Sequence, residues 1–249
     1  MLLAIDIGNS STKFGVFDGD TLVSKFSIHT GSADDAENIA DAIGNSLDLS
    51  ITSAILCSVV PNADQAVQKY VESRFGIVTA VVDNSWDLSL KINYQPLSAA
   101  GTDRLVAAFS AADKYGAPVI VCSLGTAFTI DAVNDDREYL GGIIAPGVRT
   151  MAESLHLMTA KLPVVEIEKP ANIFGNTTVD SIRSGVYFGS VALIEGIVAR
   201  MKGTLGMHAK TVATGGYASM LAGATTAIDA VDDILILDGL RRLSERSRR

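Results

Sequence analysis

The sequence predicts an α/β protein built from two related domains, and three observations predict it. Short apolar runs alternate with segments of helical spacing along most of the chain, the pattern of sheets covered by helices. A strand–glycine turn–strand unit occurs twice, as AIDIGNSST from Ala4 and as VCSLGTAFT from Val121, 117 residues apart in a chain of 249. Forty-eight percent of the residues are hydrophobic and 19% are charged, enough for packed cores and contrary to disorder. In the repeat Gly8 aligns with Gly125, Asn9 with Thr126 and Thr12 with Thr129. The expected domains are residues 1–116 and 117–249. No low-complexity linker separates them.

The elements follow in order. LLAID is an apolar strand, GNSST has turn chemistry, and KFGVFD resumes the strand before a second turn at Asp18-Gly19-Asp20. TLVSKFSIHT is a third strand. DDAENIADAIGNSL has helical spacing through Ile39, Ile43 and Leu47. SAILCSVV is a near-continuous apolar run, as in a strand covered on both faces. After Pro61 a helix runs to Gly76, and the strand IVTAVVD follows.

GTDRLVAAFSAADKYG is a helix, with Thr102 or Asp103 placed to cap it and Gly116 to end it. APVIVCSLGTAFTIDAV repeats strand, turn, strand. GGIIAPG is expected as a Gly/Pro-rich loop before the helix VRTMAESLHLMT. A loop through KLPVVEIEKPANIFGN leads to the long helix beginning at TVDSIRSG. TVATGG is a strand entering a glycine turn, YASMLAG opens another helix, and DDILILDGLRRLSERSRR closes the chain.

Charge and cysteine usage narrow the function. With 20 Lys plus Arg against 28 Asp plus Glu, the net charge is -8, which disfavours phosphate backbones and anionic membranes. A pocket can still be locally positive and take a small anion. The basic run Arg241, Arg242, Arg246, Arg248, Arg249 reads as a solvated tail. Cys57 and Cys122 sit in apolar runs without metal-ligand spacing and read as small buried hydrophobes. The N-terminus lacks a basic region, and Asp6 interrupts its apolar stretch, unlike a secretory signal. No run of about 18 apolar residues is evident. The expectation is a soluble cytoplasmic protein with no nucleic-acid or membrane partner.

Neither a P-loop nor a dinucleotide fingerprint occurs in a useful context, and no GxSxG elbow is present. His29, His156 and His208 do not pair at metal-ligand spacing. What remains is a set of glycine turns at strand ends, which expose backbone N–H groups to phosphate oxygens. Asp6-Ile7-Gly8-Asn9-Ser10-Ser11-Thr12-Lys13 gathers a carboxylate, hydroxyls and an ammonium around one turn. There Asp6 could hold a Mg²⁺-bound water while Lys13 and the turn amides face phosphate. The bland alternative is a hairpin turn chosen for its geometry. Gly125-Thr126-Ala127 is a second such turn, and Thr214-Gly215-Gly216 is a third, where a flat base or ribose could lie against bare backbone. In Gly101-Thr102-Asp103-Arg104 a carboxylate stands beside a guanidinium at a helix start. The first could accept a proton from an attacking hydroxyl and the second could clamp a carboxylate. Helix capping alone would also explain Asp103.

These residues carry a resemblance. DIGNS, SVVP, GTDR, GTAFTID, GGIIAPG, TAKLP, GNTTVDSIRSGVYFG, TGG and LILDGL occur in the order and spacing of type III pantothenate kinases, over nearly the whole chain. That family belongs to the actin, hexokinase and Hsp70-like superfamily. The resemblance implies two ribonuclease-H-like (actin-like ATPase) domains with the nucleotide in the cleft between them. It implies transfer of phosphate from ATP to the 4'-hydroxyl of pantothenate, the first step toward coenzyme A, with Mg²⁺. It implies that the turn from Asp6 to Lys13 is the ATP phosphate loop and that Asp103 is the general base. Gly101, Thr102, Arg104 and Tyr94 would be substrate contacts, with Thr178 from the second domain. Thr126 would contact ATP, and Gly215 lies in the turn expected beside the nucleotide. The family works as a homodimer whose substrate pocket is completed by the partner subunit.

One position departs. The family carries Asp two residues before the Gly of GTA, where it ligates K⁺ or NH₄⁺, and this chain has Ser123. A hydroxyl brings an oxygen but no charge. Ser123 therefore motivates an alternative, a non-catalytic ligand-binding or regulatory protein on the same fold. A further one is a kinase of another hydroxy acid or of a sugar.

Overall fold

The computed structural model of the protein describes residues 1–32 and 50–247. The helix expected from Asp34 to Leu47, and Arg248 and Arg249, lie outside the described residues. Packing divides the chain into two compact units. The first comprises Met1–Leu90, Tyr94–Ser110 and Ile234–Arg249, and the second Lys91–Asn93 and Ala111–Asp233.

The first unit holds a five-stranded sheet in the order β3-β2-β1-β4-β5. Its strands are β1 (Leu2–Ile7), β2 (Ser11–Asp18), β3 (Thr21–His29), β4 (Ser53–Ser58) and β5 (Thr79–Val81). β1, β2 and β3 form an antiparallel meander, while β4 and β5 run parallel to β1. Asp6 faces Lys13 across the hairpin and Cys57 across the parallel pair. Helix α1 (Pro61–Phe75) begins on a proline, whose missing N–H costs nothing there. It ends at Gly76, whose φ of 67° is the left-handed cap that glycine adopts without strain. Its Ala63, Val67 and Val71 bury against Leu3, Ile5, Phe14 and Leu56. Helix α2 (Thr102–Tyr115) starts in this unit and ends in the second, so the division falls inside a helix.

The second unit holds a six-stranded sheet in the order β11-β10-β7-β8-β9-β6. Its strands are β6 (Lys91–Ile92), β7 (Val119–Leu124), β8 (Ala127–Val133), β9 (Glu138–Pro146), β10 (Lys210–Thr214) and β11 (Ala230–Val231). Without the edge strand β6, its order and directions repeat those of the first sheet. This is the ribonuclease-H-like arrangement that the family resemblance implies, present in each unit, and the duplicated hairpin opens both. Helices α3 (Val148–Leu157), α4 (Thr178–Leu205) and α5 (Ala218–Ala222) complete the unit.

The structure corrects several details of the sequence reading. The C-terminal helix Leu235–Arg246 belongs to the first unit, not to residues 117–249. Its buried Leu235, Leu237, Leu240 and Leu243 form one apolar face, and the helix lies against β1, β2 and β4. Buried Arg241 pairs with Asp238 at 2.8 Å, with Glu245 at 2.8 Å, and with Asp20 in the β2–β3 turn. This arginine is part of the packed structure, not of a solvated tail.

GGIIAPG is strand rather than loop. Ile143, Ile144 and Ala145 pair with β8, and the glycines accommodate an irregularity between Ala132 and Val133. A Cβ on Gly142 would meet Asp131 Cα at 2.7 Å.

The two hairpins do not align through their turns. Ile7 faces Thr12, but Leu124 faces Phe128, because the second turn is one residue shorter. Thr129 therefore faces Ser123 and occupies the place of Lys13, not of Thr12. A one-residue slip moves a side chain to the other face of the sheet.

Helix α4 is long and apolar enough, by length and composition, to cross a membrane, although no such run was evident in the sequence. Its Ile182, Val186, Tyr187, Val191, Ile194 and Val198 bury with Ile120, Leu124 and Phe128 of the second sheet. A core helix has the same composition, and the packing identifies it as one.

Candidate active site

The first turn connects β1 to β2 through Gly8, Asn9 and Ser10. Gly8 donates its N–H to the Ser11 carbonyl at 3.2 Å, which closes the hairpin. Asn9 is exposed and Ser10 and Ser11 are half-buried. Two members of the expected phosphate loop turn their side chains inward. Ile7 is fully buried in the core, and its carbonyl accepts from Val59 N–H at 3.1 Å. Thr12 is also fully buried, and its hydroxyl lies 3.1 Å from that of Thr30. Any contact of these two with a ligand has to come through backbone.

Asp6 is the chemically loaded group of this turn. It is only 5% exposed. Lys13 Nζ stands 3.6 Å from its Oδ2, and Cys57 Sγ donates to its Oδ1 at 3.9 Å. Burial pushes the Asp6 carboxyl above the usual range; Lys13 opposes this and the Asp103 charge adds to it. Burial also pushes the Cys57 thiol well up, and the charges of Asp6 and Asp103 push it further. Cys57 is thus a neutral thiol beside a carboxylate, as its apolar sequence context predicts.

Asp103 sits at the start of α2, where its Oδ1 accepts the Arg104 N–H at 2.8 Å. The Thr102 hydroxyl donates to the Ser58 carbonyl at 2.9 Å, tying the helix start to the end of β4. Thr102, expected as a substrate contact, thereby positions its neighbour. Arg104 is buried, with its guanidinium 5.7 Å from the centre of the Tyr94 ring. A cation held against an aromatic face keeps its planar fork for a carboxylate partner. Within the first unit, then, the structure gathers Asp6, Lys13, Asp103, Arg104 and Tyr94, with Gly101 just ahead of α2. A Cβ on Gly101 would meet Asp103 Oδ1 at 2.6 Å, so glycine leaves the carboxylate its place.

In the second unit, Gly125 donates to the Ala127 carbonyl at 3.1 Å and closes the shorter turn. Thr126 is exposed at its tip. The Thr126 carbonyl accepts from Gly147 N–H at 2.9 Å and from the Thr150 hydroxyl at 2.6 Å, so the start of α3 pins this turn. Sequence reading singled out neither Gly147 nor Thr150 for this. The glycine of GGIIAPG was the available signal, because a Cβ on Gly147 would meet the Thr126 carbonyl oxygen at 2.6 Å. Gly215 has a φ of 100°, and a Cβ there would meet the Leu124 carbonyl oxygen at 2.6 Å. Its bare backbone is a packing requirement of the second sheet. Thr178, the first residue of α4, is exposed and lines a groove of about 460 Å³ with Met151, Leu155, Leu162 and Ile182.

Two cation positions can be tested against the donors present. Among the described residues, no group of three or more His, Cys, Asp or Glu gathers as a metal cage. Mg²⁺ suits a different donor set, one or two carboxylates with waters and substrate phosphates, and Asp6 beside the turn fits that requirement. Ser123 is half-buried opposite Thr129, whose Oγ1 is buried without a hydrogen-bond partner. Residues directly opposite in a ladder share a face. This pair offers neutral oxygens, which fit a weakly hydrated monovalent ion better than Mg²⁺.

Comparison with known proteins bears on this geometry. The family model for type III pantothenate kinase matches residues 2–200. A type III pantothenate kinase of Geotalea daltonii is 38% identical, over 100% of this chain and 99% of its own length. Those of Finegoldia magna and Myxococcus xanthus are 35% and 36% identical, with 98% and 99% of their lengths covered. Among solved structures, a Campylobacter jejuni protein assigned to the Baf family of transcriptional activators has a TM-score of 0.62 at 20% identity, covering 99% of this chain and 98% of its own. A Sinorhizobium meliloti protein assigned as a 2-dehydro-3-deoxygalactonokinase has a TM-score of 0.58 at 12% identity, covering 99% of each chain. At such identities the likeness is one of fold.

Proposed function

We propose the residue roles below from the premise that the chain belongs to the type III pantothenate kinase family. The protein is a kinase that phosphorylates pantothenate with ATP, in coenzyme A biosynthesis. The observation that carries the roles is the grouping of Asp103, Arg104 and Tyr94 at the start of α2, with the Asp103 charge felt at buried Asp6.

Phosphoryl transfer passes through a loose transition state, so the protein's work is positioning and charge neutralisation. Asp103 orients the primary hydroxyl of pantothenate and accepts its proton. Arg104, steadied by Tyr94, pairs with the pantothenate carboxylate. Asn9, Ser10, Ser11 and the backbone of the first turn, together with Lys13, bind phosphate oxygens. Thr126 and Gly215 contact ATP, and Thr178 contacts pantothenate. Mg²⁺, when bound, would supply charge neutralisation at the phosphates, and Asp6 would be the residue that holds it. Ser123 and Thr129 are the donors for a monovalent cation, weaker than an aspartate would be. The chain acts as a cytoplasmic homodimer.

Support for these roles comes from the exposed turns and from the pairing of Arg104 with Tyr94. No observation favours the non-catalytic reading, since Asp6, Asp103 and Arg104 are all in place. The test is pantothenate-dependent ADP release with ATP and Mg²⁺ in Na⁺, K⁺ and NH₄⁺ buffers. Turnover raised by K⁺ or NH₄⁺ supports the Ser123 site, and equal turnover in all three removes it. A folded protein with no turnover would reverse the assignment of roles.

A further inference from the structure

Thr30 lies outside every motif discussed so far, yet three bonds tie it to the first glycine turn. It is 4% exposed and opens the short 3₁₀ turn Thr30–Ser32 that follows β3. Its hydroxyl donates to the Gly8 carbonyl at 2.5 Å, and its N–H donates to the Ser10 carbonyl at 3.1 Å. Its Oγ1 also lies 3.1 Å from that of Thr12. The Thr30 proton is committed to Gly8, whose carbonyl can only accept, so Thr12 is the donor in the Thr12–Thr30 pair. One buried residue thus contacts positions 8, 10 and 12 of the turn from behind.

The consequence follows from peptide geometry. The Gly8–Asn9 bond is trans, since the cis peptides are Gln95–Pro96 and Ala117–Pro118. In a trans peptide the carbonyl and the next N–H point in opposite directions. Drawing the Gly8 oxygen toward Thr30 therefore turns the Asn9 N–H the other way, out of the turn, where Asn9 is exposed. A Gly8 carbonyl left free could rotate outward and present an acceptor to a phosphate, which repels it.

We propose that Thr30 is a positioning residue for the phosphate-binding turn: it holds the Gly8 carbonyl inward so that the Asn9 N–H faces a phosphate oxygen of ATP. The proposal rests on the reading of residues 8–11 as the phosphate turn. It assigns Thr30 no contact with ATP or pantothenate.

The test is steady-state kinetics of the full chain and its variants, with ATP and pantothenate varied separately. Thr30→Val keeps the shape and removes the hydroxyl. The expected result is a KM for ATP raised about tenfold, the effect of ~1.4 kcal/mol, with the KM for pantothenate unchanged. Thr30→Ser restores the donor and is expected within about twofold of the wild type. Thr12→Val leaves the Thr30–Gly8 bond in place and is expected to shift the ATP KM in the same direction by less. Thr30→Ala, which also removes the donor, serves as the readout if Thr30→Val does not fold. A role limited to stability would lower the melting temperature without separating the two KM values, and that result overturns the proposal. So does an unchanged ATP KM in Thr30→Val, or in Thr30→Ala where that variant is the readout, while the wild type turns over. A wild type with no ATP turnover would overturn the phosphate-turn reading and the proposal with it.

Discussion

Replacing Asp103 by Asn separates catalysis from folding, and the structure sets both magnitudes. The Asp103 Oδ1 accepts the Arg104 N–H at 2.8 Å, and an Asn oxygen in the same place can do the same. Asp103 lies in the first turn of α2, and losing its charge there costs about 0.3–1 kcal/mol. That loss is offset because Asp103 charge acts unfavourably on the buried Asp6. The net change in stability is therefore within about 1 kcal/mol, or roughly 2–4 °C for a chain of this size. The rate is another matter. General-base help is typically worth ~10²–10⁴ in rate, and an amide cannot accept the proton. That loss corresponds to about 3–5 kcal/mol, several times the structural effect. The assay is ADP release at saturating ATP and pantothenate, beside a thermal melt of the same preparation. The expected result is kcat lowered by about two to four decades with a nearly unchanged melt. Wild-type turnover in the variant would remove Asp103 from the mechanism, and loss of activity together with unfolding would leave only its capping role.

Three further outcomes follow from the geometry. Burial holds Asp6 above the ordinary carboxylate range, so only between the ordinary value and the raised one does the native state keep a proton that the unfolded state has released. Stability therefore falls as pH rises from the ordinary value through the raised one, and Asp6→Asn, which cannot ionise, is expected to melt higher than the wild type near pH 8 and to converge with it toward pH 4. A lower melt at pH 8 would refute that sign. Gly147→Ala drives a Cβ into the backbone of the second turn, and a cost of about 1–3 kcal/mol with a raised ATP KM is expected, read from urea unfolding and kinetics. Leu237→Ala, at a position 1% exposed, is expected to cost about 2–5 kcal/mol in urea unfolding. A loss below about 0.5 kcal/mol, typical of an exposed site, would contradict the packing of the C-terminal helix against the first sheet.

The sequence by itself determined the local chemistry and the repeat. Apolar runs marked most of the strands, though not GGIIAPG; Pro61 and Gly76 bounded a helix, and a glycine turn opening each half announced two related domains. The adjacency of Asp103 and Arg104 was legible because both lie within one turn of helix. What needed the tertiary structure was set by pairings distant in the chain. Ile7 and Thr12 belong to the phosphate-turn motif, but the pleat turns their side chains into the core. The second hairpin is one residue shorter, which only the ladder register reveals, and this puts Thr129 rather than Ile130 opposite Ser123. The C-terminal helix joins the first unit because its leucine face fits that sheet, a choice that local periodicity does not encode. Thr30 has no motif around it, and it reaches the turn only because β3 ends beside Ser10. Local sequence records backbone preference and residue type; which buried groups meet depends on register and packing, and those are decided when the sheets form.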